Sequence, residues 1–248
     1  MAGNTSTPGA TVTSRALALL GAFDEQHRRL TLTELAQRAA LPVPTTHRLV
    51  GELVAWQALA RDGEGRYVVG RRLWEVGLLA PVNLGLREVA LPHLQDVHAT
   101  TRDTVHLAVR EGTRALYVER LAGSTPVVSQ MGSRLPLHAT GVGKVLLAWA
   151  PDDVRDLALS APEQVTAHTV VDPLRLRREL EEVRRRGCAR TAQEMTLGTS
   201  SLAVPVRDPA GEVVAALGVV VPAQRRDLLR LLPVLQVAAR AIGRRLPG

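Results

Sequence analysis

The sequence predicts an α+β chain: a small helical N-terminal domain closed by a two-stranded hairpin, then a larger domain built on an antiparallel sheet flanked by helices. Three observations predict it. Apolar residues recur at helical spacing from Val12 to Val54, then give way to short runs around a Gly-bearing turn at residues 58–69. From Arg87 onward, helical and strand-like patterns alternate along the chain. The length suits two modest domains, and aromatic residues make up only 2% of the chain, so Leu, Val and Ala must fill both cores.

Residues 1–10 belong to MAGNTSTPGATVTS, a small, polar, Pro- and Gly-bearing stretch with no basic or apolar signal region. It is expected to be a disordered tail. The N-terminal domain is expected over 11–70. Val12 to Phe23 carries Ala16, Leu17, Leu19, Leu20 and Phe23 at helical spacing, with Ser14 as its cap. Thr31 and Glu34 have the spacing of a capping box, which starts a second helix on Leu35, Ala36, Ala39 and Ala40. After Leu-Pro-Val-Pro, Pro44 suits the first turn of a third helix, where its missing N–H costs nothing. Leu49, Val50, Leu53 and Val54 face inward there, which leaves Thr45, Thr46, His47, Arg48 and Glu52 to face outward.

A short helix, a tight turn and a helix with hydroxyl, imidazole and guanidinium groups at its N-terminal end form a helix-turn-helix pattern. Such a second helix enters the major groove of double-stranded DNA N-terminus first. Ala58 to Arg61 and Arg66 to Val69, joined by Asp62-Gly-Glu-Gly65, read as a hairpin or wing whose Arg61 and Arg66 reach phosphates or a minor groove. The expected DNA contacts are Arg15, Thr33, Pro44, Thr45, Thr46, His47, Arg48, Arg61 and Arg66. A helical hairpin and ribbon that merely pack together are the bland alternative.

Residues 71–86 carry Leu73, Trp74, Val76, Gly77 and Leu78 and read as a linker helix interrupted near Pro81. The second domain is expected over 87–248. It contains a helix from Glu88 to Thr101 with Pro92 in its first turns, and a hairpin of Thr104–Arg110 with Ala115–Leu121. A strand is expected at Pro126–Met131, and helices at Gly141–Ala150, Pro151–Leu159 and Pro173–Arg186. A second hairpin, Ser201–Arg207 with Glu212–Val221, and a closing helix from Arg225 to Leu246 complete it.

SRALALLGAF, LTLTELAQRAALP, TTHRLVGEL and GRYVVGRRLWEVG resemble the DNA-binding half of IclR-type transcriptional regulators. RLPLHATGVGKVLLA, the region from Thr169 to Arg186, and SLAVPVRDPAGEVVAALGV resemble the effector-binding half, in the family's order. LPLHATGVGK is the most specific phrase, and the resemblance covers nearly the whole chain. It implies a winged helix-turn-helix, a linker helix contributing to dimerisation, and a GAF-like effector domain. It also places the family's ligand pocket at Gly141, Val142, Thr191, Ser201, Gly218 and Val220. Members that bind small oxoacids have an acid at the place of Thr191, a thiol at Ser201, and hydroxyls at Gly218 and Val220. The departures here imply a roomier, more apolar pocket end and a larger ligand than glyoxylate, an organic acid with an apolar body.

The residues of the loop support part of this directly. Gly141, Val142 and Gly143 open a helix whose free N–H groups suit a carboxylate or other acceptor. A phosphate loop is excluded: His138 stands where its first glycine belongs, and Val145 replaces the Ser or Thr that holds Mg²⁺. His93, His98 and His106 lack the spacing and companions of a metal set, and Ser200, Ser201 and Cys188 lack a nucleophile elbow or adjacent base. Arg184-Arg-Arg186 reads as a solvated helix end.

The net charge is +7, but nine Arg against seven acidic residues over 1–85 leave about +2 there, so basicity does not locate the DNA surface. A single cysteine excludes an internal disulfide and suits a reducing cytoplasm, and no apolar run is long enough to span a membrane. The expected protein is therefore a cytoplasmic regulator, not an enzyme, without cofactor or metal. Its expected partners are double-stranded DNA, a small-molecule effector, and itself as a homodimer or homotetramer. The alternatives are an enzyme or metal-binding protein using the C-terminal domain, and an architectural DNA-binding protein without an effector pocket.

Overall fold

A computed structural model describes residues 11–24, 26–77, 84–225 and 227–247. The expected tail at 1–10, and Leu78 and Pro81 of the expected linker, lie outside them. By packing, the chain divides into two units, residues 1–81 and 82–248.

The first unit holds helices α1 (Val12–Leu20), α2 (Leu32–Arg38) and α3 (Val43–Ala55), strands β1 (Leu59–Arg61) and β2 (Tyr67–Val69), and helix α4 (Arg71–Gly77). Helix α1 is capped by the Thr11 hydroxyl, which accepts from the Ser14 amide, rather than by Ser14. The capping box at α2 is formed in both directions: the Glu34 amide donates to Thr31 Oγ1, and Glu34 Oε2 accepts from the Thr31 amide at 2.7 Å. Leu19, Leu30, Leu35, Leu49, Val50, Leu59 and Tyr67 make one buried core from α1, α2, α3, the segment before α2 and the hairpin. A bridge from Leu30 to Tyr67 ties the chain before α2 to the hairpin. Trp74 on α4 is exposed.

The second unit is a six-stranded antiparallel sheet in the order β5-β4-β3-β8-β7-β6. Its strands are β3 (Thr104–Glu111), β4 (Arg114–Leu121), β5 (Arg134–Pro136), β6 (Ala189–Ala192), β7 (Thr199–Arg207) and β8 (Val213–Pro222). Alternation along the strands sends Val105, Leu107, Leu202, Val204, Leu217 and Val219 to one face, against α5 (Leu84–Thr101) and α9 (Leu232–Gly243). Ala108, Ala203 and Ala216 face the other side, where α6 (Gly141–Ala148) lies on the sheet. Helices α7 (Asp152–Ser160) and α8 (Pro173–Arg186) pack beyond it. Small residues on that face let α6 approach closely, and every residue of α6 is buried.

Several boundaries differ from expectation. Helix α5 starts earlier, so Pro92 stands in its interior rather than its first turns, where it removes one backbone bond. Residues 126–131 do not form a strand: the Ser133 hydroxyl donates to the Gln130 carbonyl at 2.6 Å, Gly132 takes a left-handed φ of 86°, and the strand pairing with β4 begins only at Arg134. The four-residue edge strand β6 is absent from the sequence pattern because it is too short to show a period. The last helix begins at Leu232, after a 3-10 turn at Leu228–Leu231.

Candidate DNA surface and ligand cavity

On α3, the N-terminal turn presents Pro44, His47 and Arg48 to solvent, with Thr45 half-buried. Thr46 is a correction. It was expected to face outward, but it is fully buried, because it continues the stripe of Leu49, Val50 and Leu53 by one helical turn. Its hydroxyl has no hydrogen-bond partner among the described residues. Thr33 on α2 is exposed and Arg15 on α1 is half-buried.

The hairpin arginines differ from each other. Arg66 pairs with Glu64 and lies 3.6 Å from Asp62, whose Oδ1 accepts from the Glu64 and Arg66 amides across the turn. Its charge is offset within the wing. Arg61 stacks over the Tyr67 ring at 4.9 Å and donates to the Tyr67 hydroxyl at 2.5 Å, with no carboxylate at ion-pair distance among the described residues. No carboxylate among the described residues therefore offsets Arg61 within the wing.

In the second unit, a cavity lies between the sheet and the N-terminus of α6. The centre of a water molecule can move through about 40 Å³ of it. Five of the seven expected ligand residues line it: Gly141, Val142, Thr191, Ser201 and Val220. The Thr140 hydroxyl accepts from the Gly143 amide, and the Thr140 carbonyl accepts from Lys144. Among the described residues this leaves the Gly141 and Val142 amides, on the cavity wall, without an acceptor.

Gly143 and Gly218 are placed elsewhere. A Cβ on Gly143 would stand 2.3 Å from the Leu137 carbonyl oxygen, so its role is to let the preceding loop pack on the helix. A Cβ on Gly218 would stand 2.9 Å from Val142 Cγ1 and 3.2 Å from Ala203 Cβ. The open space expected at Gly218 is thus filled by α6 itself, and of these two positions Val220 lines the cavity. Thr191 and Ser201 share a hydrogen bond of 2.5 Å across β6 and β7, so each hydroxyl already satisfies the other in part.

The cavity also gathers residues that carry no motif. His106 and Ser129 are buried and joined Nε2 to Oγ at 2.9 Å, and the His106 ring meets Tyr117 edge-on at 5.0 Å. Burial, with help from the Arg120 charge, pushes the His106 imidazole down to about 3; burial also raises the Tyr117 phenol. Both are neutral at neutral pH. Glu194, Met195 and Thr196 close another side.

Behind Glu194 lies Lys144, the chain's single lysine. It is fully buried, with Nζ 2.8 and 2.9 Å from the two Glu194 oxygens and 2.7 Å from Glu179 Oε2. Burial raises the Glu194 carboxyl above its ordinary range, against the pull of Lys144. A lysine inside an otherwise apolar helix was a legible signal that acids must meet it; which acids they are was not.

Among the described residues no charged side chain other than Glu194 lines the cavity, and Lys144 offsets that one. An anion there would rely on amides, hydroxyls and a neutral imidazole. Among the described residues no cluster of His, Cys, Asp and Glu could hold a metal ion, and no helix is long and apolar enough to cross a membrane. The buried Cys188 thiol is pushed up by desolvation, which makes it a poor nucleophile.

Comparison with known proteins gives the same two halves. Residues 12–63 match the IclR helix-turn-helix domain, and residues 80–244 match the bacterial transcriptional regulator IclR C-terminal domain. The HTH-type transcriptional regulator XynR of Escherichia coli is 30% identical over 240 residues, covering 94% of this chain and 95% of that protein. KdgR of Dickeya chrysanthemi is 31% identical over 217 residues, covering 85% and 70% respectively. Among solved structures, an IclR homologue from Microbacterium hydrocarbonoxydans, complexed with 4-hydroxybenzoate, superposes with a TM-score of 0.89 at 36% identity, covering 94% of this chain and 98% of that one. Thermotoga maritima IclR superposes at 0.79 with 27% identity, covering 94% and 98%. With both halves matched in order along nearly its whole length, the chain belongs to the IclR family of bacterial transcriptional regulators.

Proposed function

We propose that this regulator binds a pseudo-palindromic operator as a homodimer or homotetramer and is controlled by an organic acid with an apolar body. The observation that supports the effector class is the cavity: two free helix amides for an acceptor, a Val220 and Val142 wall, and, among the described residues, no cationic side chain on its lining. The 4-hydroxybenzoate bound by the Microbacterium homologue is of this class. The free volume holds only a few waters, so an acid of this size needs the cavity walls to move apart as it enters. An effector that binds one arrangement of the oligomer better shifts operator affinity by linkage. Residues 11–70, 71–86 and 87–248 are proposed as DNA-binding, linker and effector segments.

Calorimetry of the purified protein with 4-hydroxybenzoate and with glyoxylate tests the effector class. Tight binding of the oxoacid alone would overturn it. On the DNA side, Arg48→Ala is expected to weaken an operator found by footprinting the upstream region by about 1–3 kcal/mol, the worth of a good base contact. Thr46→Val, in contrast, should leave operator affinity unchanged and stabilise the first unit by about 1 kcal/mol, because it removes a buried hydroxyl without a partner. Equal protection of unrelated DNA would sink the sequence-specific reading.

A further inference from the structure

His106 and Ser129 stand apart from the acceptor-binding end of the cavity. Ser201 pairs with Val220, while His106 pairs with Gly218, so the two sites are separated by β8: two strands across and two residues along. At the usual strand spacing this is on the order of 10 Å between backbones, shortened by the side chains that reach inward. The α6 N-terminus sits at the Ser201 end, since a Cβ on Gly141 would stand 2.5 Å from Ser201 Oγ. An aromatic ring carrying a carboxylate on one side and a polar group on the other bridges such a span.

We infer that His106 and Ser129 are specificity residues that recognise a hydroxyl on the effector's apolar body, which makes the effector class a hydroxyaryl carboxylic acid. This rests on the reading of the cavity as the effector site. Both side chains are buried, both line the cavity, and they already hydrogen-bond each other, which fixes their orientation. The Tyr117 edge holds the imidazole plane. Their mutual bond uses imidazole Nε2, so the serine hydroxyl turns either its proton or its lone pairs to the cavity, according to the tautomer it meets, and suits a group that can both donate and accept. A phenol is such a group; a carboxylate only accepts. Arg120, across the strand pair from His106, does not line the cavity, so its charge adds to the burial that keeps the ring neutral without supplying an anion contact.

The test is titration calorimetry of the full chain with 4-hydroxybenzoate and benzoate, in the natural protein and in His106→Phe, Ser129→Ala and Gly141→Val. The natural protein should prefer the hydroxy acid by about tenfold or more, and both His106→Phe and Ser129→Ala should bring that preference to within about twofold, through a larger loss for the hydroxy acid than for benzoate. Should His106→Phe fail to fold, as judged by its melting transition, Ser129→Ala decides, because it lies outside regular structure. A preference that survives in the variants overturns the inference, as does an equal loss of both acids, which would put the carboxylate at His106. If both acids bind but Gly141→Val binds them unchanged, or neither binds the natural protein, the effector reading itself fails.

Discussion

Lys144→Met is expected to destabilise the second unit by about 3–5 kcal/mol at neutral pH, the cost of stranding the buried Glu194 carboxylate without its cation; Glu179 keeps Arg175. Met fills the space of the lysine stem, so the loss reports charge rather than a cavity. Glu194 would keep a contact with the Val170 amide at 3.5 Å and little else, and Glu179 would face it across the gap. The loss should shrink on acidification. Burial raises the Glu194 carboxyl in the folded chain, so the native state holds its proton more firmly than the unfolded chain does. Its contribution is then fully present below the unfolded value of 4.5 and fades as pH rises through the folded one. Without Lys144 the folded value rises further.

Urea unfolding of both proteins at about pH 7.5 and about pH 5 measures this as a difference. Comparing at each pH cancels His106, whose low folded pKa acts in the opposite sense by costing stability as pH falls below 6.5. A loss equally large at both pH values would show that packing, not charge, accounts for it.

Gly143→Ala is expected to cost about 3 kcal/mol, at the upper end of overpacking effects. The added Cβ would stand 2.3 Å from the Leu137 carbonyl, 2.7 Å from Leu137 Cα and 2.4 Å from Thr140 Oγ1. Two of these are backbone atoms, which cannot rotate away. Displacing Thr140 also removes the cap of α6 and reorients the Gly141 and Val142 amides, so effector affinity should fall together with the melting temperature. At Gly141 the obstacle is instead the Ser201 side chain, and Gly141→Ala should affect binding more than stability. Thermal unfolding and calorimetry on the two variants separate the roles; a Gly143→Ala protein as stable as the parent would show that the loop before α6 gives way.

The sequence by itself determined the elements whose signals are local. The capping box at Thr31 and Glu34, the stripe of α3, the Gly-bearing hairpin at 62–65, and the alternation of β3, β4, β7 and β8 are each set by residues within a few positions of one another. The free amides at Gly141 and Val142 were legible for the same reason, since a helix start is a local event. What only tertiary structure decided is everything set by a neighbour distant in the chain. Thr46 looks outward among its polar neighbours until the stripe of α3 is seen packed against α1 and α2. Gly218 looks like open space until Val142 fills it, and the partners of Lys144 come from residues 35 and 50 positions away. His106 and Ser129 meet only because the segment after β4 folds back over β3. A side chain's exposure and a cavity's shape depend on what crosses above it, and short-range spacing carries no record of that crossing.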